Sequence, residues 1–142
     1  TMLKGAGDAE DCGNLIKNVW YNAIYKEKDD ETDKYTRPGG YFVSDFNDAL
    51  GNLFVDSSFS SKIDSIDKNQ DTVNSLMKKL KNPPEEYKDA YDALSDFYDA
   101  YLALTGCATD PSGSLQTYSS TFNDADTDTL NAYKAMQQYL GD

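Results

Sequence analysis

LQTYSSTFNDADTDTLNAYKAMQQY, residues 115–139, decides the fold. Leu115, Tyr118, Phe122, Ala125, Thr129, Ala132, Met136 and Tyr139 recur at alternating steps of three and four. That period places them on one face of an α-helix. The middle of the stretch, Asn123 to Asp128, consists of weak helix formers, yet the stripe keeps its phase across it. One continuous helix is expected.

The same period appears four more times upstream. A first helix is expected from about residue 8 to 27, with Cys12, Leu15, Ile16, Val19, Trp20, Ala23 and Ile24 as its apolar face. Acids at its start and lysines at its end suit the helix dipole. Residues 1–7 read as a lead-in without structure, and Asp29–Gly40 as a charged loop closed by Pro38-Gly39-Gly40. A short second helix, ending near Asp56, offers Phe42, Phe46, Ala49, Leu50, Leu53 and Phe54. After a serine-rich break at 56–61, a third helix carries Phe59, Ile63, Ile66, Gln70, Val73, Met77 and Leu80, with Gln70 as a polar intruder that needs a partner if buried. Asn82-Pro83-Pro84-Glu85 reads as an N-cap, first-turn proline and capping acid for a fourth helix running to about Ala108. Tyr87, Ala90, Tyr91, Leu94, Phe97, Tyr98, Tyr101, Leu102 and Leu104 make its face wide, so this helix should be central. Ser112 or Ser114 caps the fifth.

The fold class is therefore all-α: a single-domain, up-and-down bundle of four long helices and one shorter one over residues 1–142. If each of the five helices reverses direction, the start of the first and the end of the fourth share one end of the bundle. Cys12 and Cys107 sit there, and they are the only two cysteines. They read as a long-range disulfide, which would imply an oxidising compartment, or else as two small buried apolar residues.

Composition limits function. The formal charge of −12 repels phosphate backbones and anionic headgroups, so nucleic acid is not an expected partner. No stretch reaches the ~20 apolar residues of a membrane-spanning helix, so this chain itself is not expected to insert. No signal peptide is present, a start that fits a chain trimmed behind a signal or lipid anchor as well as a cytosolic one. With no histidine, the commonest general base is missing, and no nucleophile elbow or phosphate loop replaces it. An enzyme is not expected, and no cofactor is. Asp67, Asn69, Asp71 and Asp124, Asp126, Asp128 copy the 1-3-5 spacing of a calcium loop but lack its glycine and its bidentate acid. Asp29, Asp30, Glu31 and Asp33 would hold a divalent ion only weakly. Glu85, Asp89, Asp92, Asp96 and Asp99 form an acidic stripe on the fourth helix, either a solvated face or a docking strip for a basic partner.

Three segments carry a resemblance: Asn18-Val19-Trp20-Tyr21-Asn22-Ala23-Ile24, Asn82-Pro83-Pro84-Glu85-Glu86-Tyr87 leading into Ala90-Tyr91-Asp92-Ala93-Leu94, and Pro111-Ser112-Gly113-Ser114-Leu115. With them the chain resembles small, functionally uncharacterised secreted proteins and lipoproteins of Gram-positive, Firmicutes-type bacteria. The matching motifs are a helix face, a cap and a turn, so no catalytic residues carry over. The resemblance implies an extracytoplasmic domain, tethered through an upstream lipidated cysteine; Cys12, with no lipobox before it, does not read as that anchor. The expected function is a non-enzymatic binding or structural role at the cell surface, toward a protein or other surface partner. The alternatives are a small-molecule or divalent-cation binder and a carboxylate-dependent hydrolase, the last requiring two cleft carboxylates roughly 5–10 Å apart.

Overall fold

The 115–139 stripe forms one unbroken helix in the computed structural model, which describes residues 1–140. Helices account for 80% of the structure, and no strand occurs among the described residues. In chain order they are α1 (Met2–Tyr25), α2 (Asp33–Thr36), α3 (Phe46–Val55), α4 (Ser57–Lys79), α5 (Lys88–Thr109) and α6 (Leu115–Gln137), with single 3-10 turns at Pro38–Gly40 and Glu85–Tyr87. The four long helices make an up-and-down bundle. The short α3 packs on α1, α2 and α4.

The local chemistry explains most boundaries. Asp45 caps α3 by accepting from the Asn47 amide at 2.8 Å, and Asp56 caps α4 through the Phe59 amide at 3.1 Å. Ser114 and Thr117 close a reciprocal capping box on α6, entered through Gly113 at φ 84°. The expected serine-rich break at 56–61 shrinks to Asp56 alone, because that one cap is enough to start α4. The expected cap at Asn82 is not formed. Pro83 precedes another proline, which pushes it to extended backbone and out of a helical first turn. Asn82 instead takes the left-handed conformation, φ 62°, and the helical turns begin after Pro84.

Two stretches expected to be irregular are ordered. Residues 2–7 belong to α1, and Gly5, Ala6 and Ala9 are buried there. Their small side chains do not register as an apolar stripe, but they pack as one. The charged 29–40 loop holds the turn α2, with Thr32, Tyr35 and Thr36 buried. Asn22 Nδ2 donates to Thr32 Oγ1 at 3.0 Å and Asn52 Nδ2 to the Tyr35 carbonyl at 3.1 Å, so side chains of α1 and α3 pin it. One turn is too short to show a period.

The helix directions differ from a strict five-helix alternation. Phe97 and Met2 line one cavity, Gly5 abuts the Tyr101 ring, and Cys12 and Cys107 both lie near the Tyr118 hydroxyl. Positions on α1 and α5 therefore rise together, and the two helices run parallel. The expected antiparallel pairing of these helices is corrected accordingly. Because α3 spans only 10 residues and joins α4 through one residue, it adds no full pass of the bundle, and the direction of every later helix inverts. On α6, Tyr133, Asp126, Phe122 and Tyr118 meet Leu3, Glu10, Gly13 and Trp20 of α1 in turn, an antiparallel register. Between α4 and α5, Gln70 donates to Thr105 Oγ1 at 2.8 Å, and the Tyr98 and Tyr101 hydroxyls donate to Asn74 and Asn69. Gln70 thus finds its partner, a bond worth about 1 kcal/mol and costlier to leave unmade.

As its wide face requires, α5 packs on α1, α4 and α6. The helix that touches all the others is α1. It meets α4, α5 and α6 through a seam of small residues, Gly5, Ala6, Ala9, Cys12 and Gly13, and reaches α2 and α3 through Asn22 and Trp20. A Cβ at Gly13 would overlap the buried Phe122 ring, whereas one at Gly7 would meet open space. Gly13→Ala should therefore lower stability by about 1–3 kcal/mol through overpacking. Gly7→Ala should raise it by about 0.5–1 kcal/mol by relieving backbone entropy. Urea unfolding at pH 7 measures both, and a gain for Gly13→Ala equal to that for Gly7→Ala would mean the seam is not close-packed.

Candidate functional site

The bundle has a short and a long diagonal. Along the short one, α1 and α5 are in direct contact, while α4 and α6 face each other across them without close backbone approach. Thr1, Met2 and Leu3 end the α1 side of this arrangement level with Phe97 and Tyr133. The other three helices continue. About 13 Å of α5 precedes Phe97, at 1.5 Å per residue. Beside the first residues of α1, α4, α5 and α6 line an apolar groove.

Its inner part is a cavity of about 360 Å³ between Met2, Leu76, Met77, Phe97, Tyr133 and Met136. Its outer part, about 290 Å³, lies between Leu80, Tyr87, Tyr91, Leu94 and Tyr139. Leu80, Leu94 and Met136 line both. All three methionines of the chain, Met2, Met77 and Met136, line the inner cavity. Several large side chains remain in contact with water, among them Leu80 at 49% and Tyr87 at 58% exposure. A contiguous apolar concavity of this kind marks a binding surface more often than scattered exposed residues do.

A second cluster lies beside Leu3, Leu104 and Leu130, in a cavity of about 290 Å³. There Glu10 of α1 and Asp126 of α6 share a hydrogen bond between carboxyl groups. The bond to Asp126 comes first in raising the Glu10 pKa to about 7, followed by desolvation and by the charges of Asp126 and Asp11. Nothing in the sequence marks this pair among 25 acids; it needs the antiparallel α1–α6 register.

The expected disulfide is corrected: Cys12 and Cys107 are both buried free thiols. Burial pushes the Cys12 thiol up to about 11 and raises that of Cys107. Disulfide exchange needs a thiolate, and both sites disfavour one. The two act as small core residues around Tyr118, whose hydroxyl donates to the Cys107 carbonyl at 2.7 Å. Desolvation, then the two thiols, raise the Tyr118 pKa as well.

The other sequence candidates do not converge. Asp67, Asn69 and Asp71 lie within α4, and Asp124, Asp126 and Asp128 within α6, not in loops. Asn69 is spent on structure, donating to the Thr1 carbonyl at 3.1 Å and accepting from Tyr101. Asp29 and Asp33 are tied into the α2 turn, where Asp33 accepts from the Asp29 amide at 3.0 Å and pairs with Arg37 at 3.6 Å. No group of three metal-ligating side chains gathers among the described residues. Glu85, Asp89, Asp92, Asp96 and Asp99 are all exposed, with Asp92 paired to Lys88 at 3.2 Å. The stripe forms the outer face of α5.

Compared with protein-family models, curated proteins and solved structures, the chain matches none.

The Glu10–Asp126 pair sets a pH dependence. The folded state raises the Glu10 pKa from 4.5 to about 7, so its contribution to stability is full below about pH 4.5 and is lost as pH rises through about 7. Glu10→Gln should keep the hydrogen bond to Asp126 without the second charge. Its Tm should exceed that of the native chain at pH 8 and match it near pH 4.5. Parallel thermal melts check this, and an equal Tm difference at both pH values would remove the raised Glu10 pKa.

Proposed function

We propose that this chain is a non-enzymatic helical domain that acts outside the cytoplasm, tethered to or released from the cell surface, by binding a partner. The groove between α4, α5 and α6 carries this reading. It is preformed, concave and apolar, and it is built on rigid helices instead of loops. The thiols, by contrast, are buried and disfavour the reactive thiolate. The resemblance to secreted proteins and lipoproteins supports the compartment.

The native chain should enhance the fluorescence of anilinonaphthalene sulfonate at pH 7. Leu80→Glu and Met136→Glu should each reduce that signal several-fold while the far-UV circular dichroism stays helical. A folded native chain that leaves the dye dark would remove the groove as a binding surface. For the compartment, protease added to intact source cells should digest the domain, or the medium should contain it. Recovery only after lysis would overturn the extracytoplasmic assignment.

A further inference from the structure

We propose that the cleft between the second half of α1 and the start of α6 binds a short, uncharged saccharide. It is a separate site from the groove between α4, α5 and α6, and it stands whether or not that groove binds.

The walls are interior stretches of the chain. Because α6 runs antiparallel to α1, its first turns lie beside the last turns of α1. They enclose about 590 Å³. Small-molecule sites fall in the range of roughly 300–1,000 Å³. Lys17, Asn18, Tyr21 and Tyr25 form the α1 wall, facing Ser114, Gln116 and Ser119 on α6.

The first observation is an aromatic platform held in water. Tyr21 and Tyr25 stand one turn apart, their ring centroids 4.5 Å from each other. They are 48% and 59% exposed, with Ile24 beside them at 42%. Trp20 and Tyr118, on the same two helices, are buried in the core instead. Packing on one another fixes the two exposed rings and leaves apolar ring surface uncovered. The C–H groups on one side of a sugar ring carry slight positive charge and lie well against the electron-rich face of an aromatic ring.

The second observation is the hydrogen-bonding edge of the cleft. The side chains of Asn18, Gln116 and Ser119 make no hydrogen bond among the described residues. Asn22, one turn beyond Asn18, is different, since its amide is already bonded to Thr32. Two amides and a hydroxyl offer donors and acceptors together, which is what a ring bearing hydroxyl groups requires. They come from both walls, so they can reach opposite edges of a ring seated on the tyrosines.

The third observation is charge. Residues 12–26 and 111–123 contain no Asp or Glu, in a chain that has 25 of them. The nearest acids along the chain, Asp11, Glu27, Asp110 and Asp124, all lie outside the lining. The one charged group in the cleft, the Lys17 ammonium, sits 5.4 Å from the centroid of the Phe122 ring, a cation–π contact. A cleft without carboxylates gives a basic ligand no partner, and the net charge of −12 around it disfavours an anionic one. A neutral polyhydroxyl ligand meets neither obstacle. A bound peptide would use a strand edge or a continuous apolar groove, and these walls offer neither.

The test titrates the isotope-labelled native chain with maltotriose, cellotriose and N,N′,N″-triacetylchitotriose, followed by amide nuclear magnetic resonance shifts. At least one sugar should move amides within 17–25 and 114–119, saturating with a Kd of about 1 mM or tighter. Tyr25→Ala and Gln116→Ala, both at exposed positions, should each weaken that binding about tenfold while the far-UV circular dichroism stays helical. Tyr25→Phe should retain it, because the ring face survives. Leu80→Glu, in the other groove, should leave it unchanged. If none of the three sugars shifts these amides, the saccharide site is wrong. Shifts confined to other parts of the chain, or binding that survives Tyr21→Ala combined with Tyr25→Ala, would also overturn it. Sodium phosphate moving these amides where the sugars do not would make the cleft an anion site instead.

Discussion

The structure depends on the close approach of α5 and α6 to the first half of α1. Gly5, Ala6, Ala9, Cys12 and Gly13 hold almost no side-chain volume on the face where Tyr101 and Phe122 pack. A larger residue at position 13 would drive the Phe122 ring out of the core. This contact lets α1 and α5 run side by side as the short diagonal, and a short diagonal forces a long one. With α4 and α6 held apart, the bundle encloses α1 and leaves an apolar groove beside its first residues. The free thiols belong to the same seam: Cys12 and Cys107 are the sizes that fit around Tyr118.

Polar contacts then set which residues face which. Between α4 and α5, Asn69, Gln70 and Asn74 pair with Tyr101, Thr105 and Tyr98, and a one-residue slip would orphan all three pairs. The register they impose puts Met77 and Leu80 opposite Leu94 and Tyr91, so the groove lining follows from bonds made one to three turns away. The price of buried polarity is repaid in specificity, since apolar stripes by themselves tolerate sliding. At the other end, Trp20 stacks between Phe46 and Tyr118, each at 5.5 Å, joining α3 to the four-helix core.

The groove and the carboxyl pair lie along the same stretch of α1, yet they answer different demands. The groove offers area and shape, which suit association. The pair Glu10–Asp126 places a Glu10 carboxyl, its pKa raised to about 7, beside a cavity of about 290 Å³. Both rest on α1 meeting α6 in antiparallel register.

Local periodicity determined most of the secondary structure. The 115–139 stripe, the Asp45, Asp56 and Ser114 caps and the Pro-Pro boundary are written in neighbouring residues, because helical faces and caps involve groups within about four positions. The same stripes named Val73, Met77, Leu80, Tyr91, Leu94 and Met136 as core. They could not say that some of these line a groove, because a period reports which face is apolar and not whether another helix covers it. Nor did they report the α1 seam, since glycine and alanine carry no hydrophobic signal of their own. Helix direction, the parallel α1–α5 pair, the fate of the two cysteines and the meeting of Glu10 with Asp126 were decided only in three dimensions. Each depends on residues about 70 to 115 positions apart, and on whether the short α3 counts as a pass of the bundle. The packed volume of the core settles that, not any local pattern.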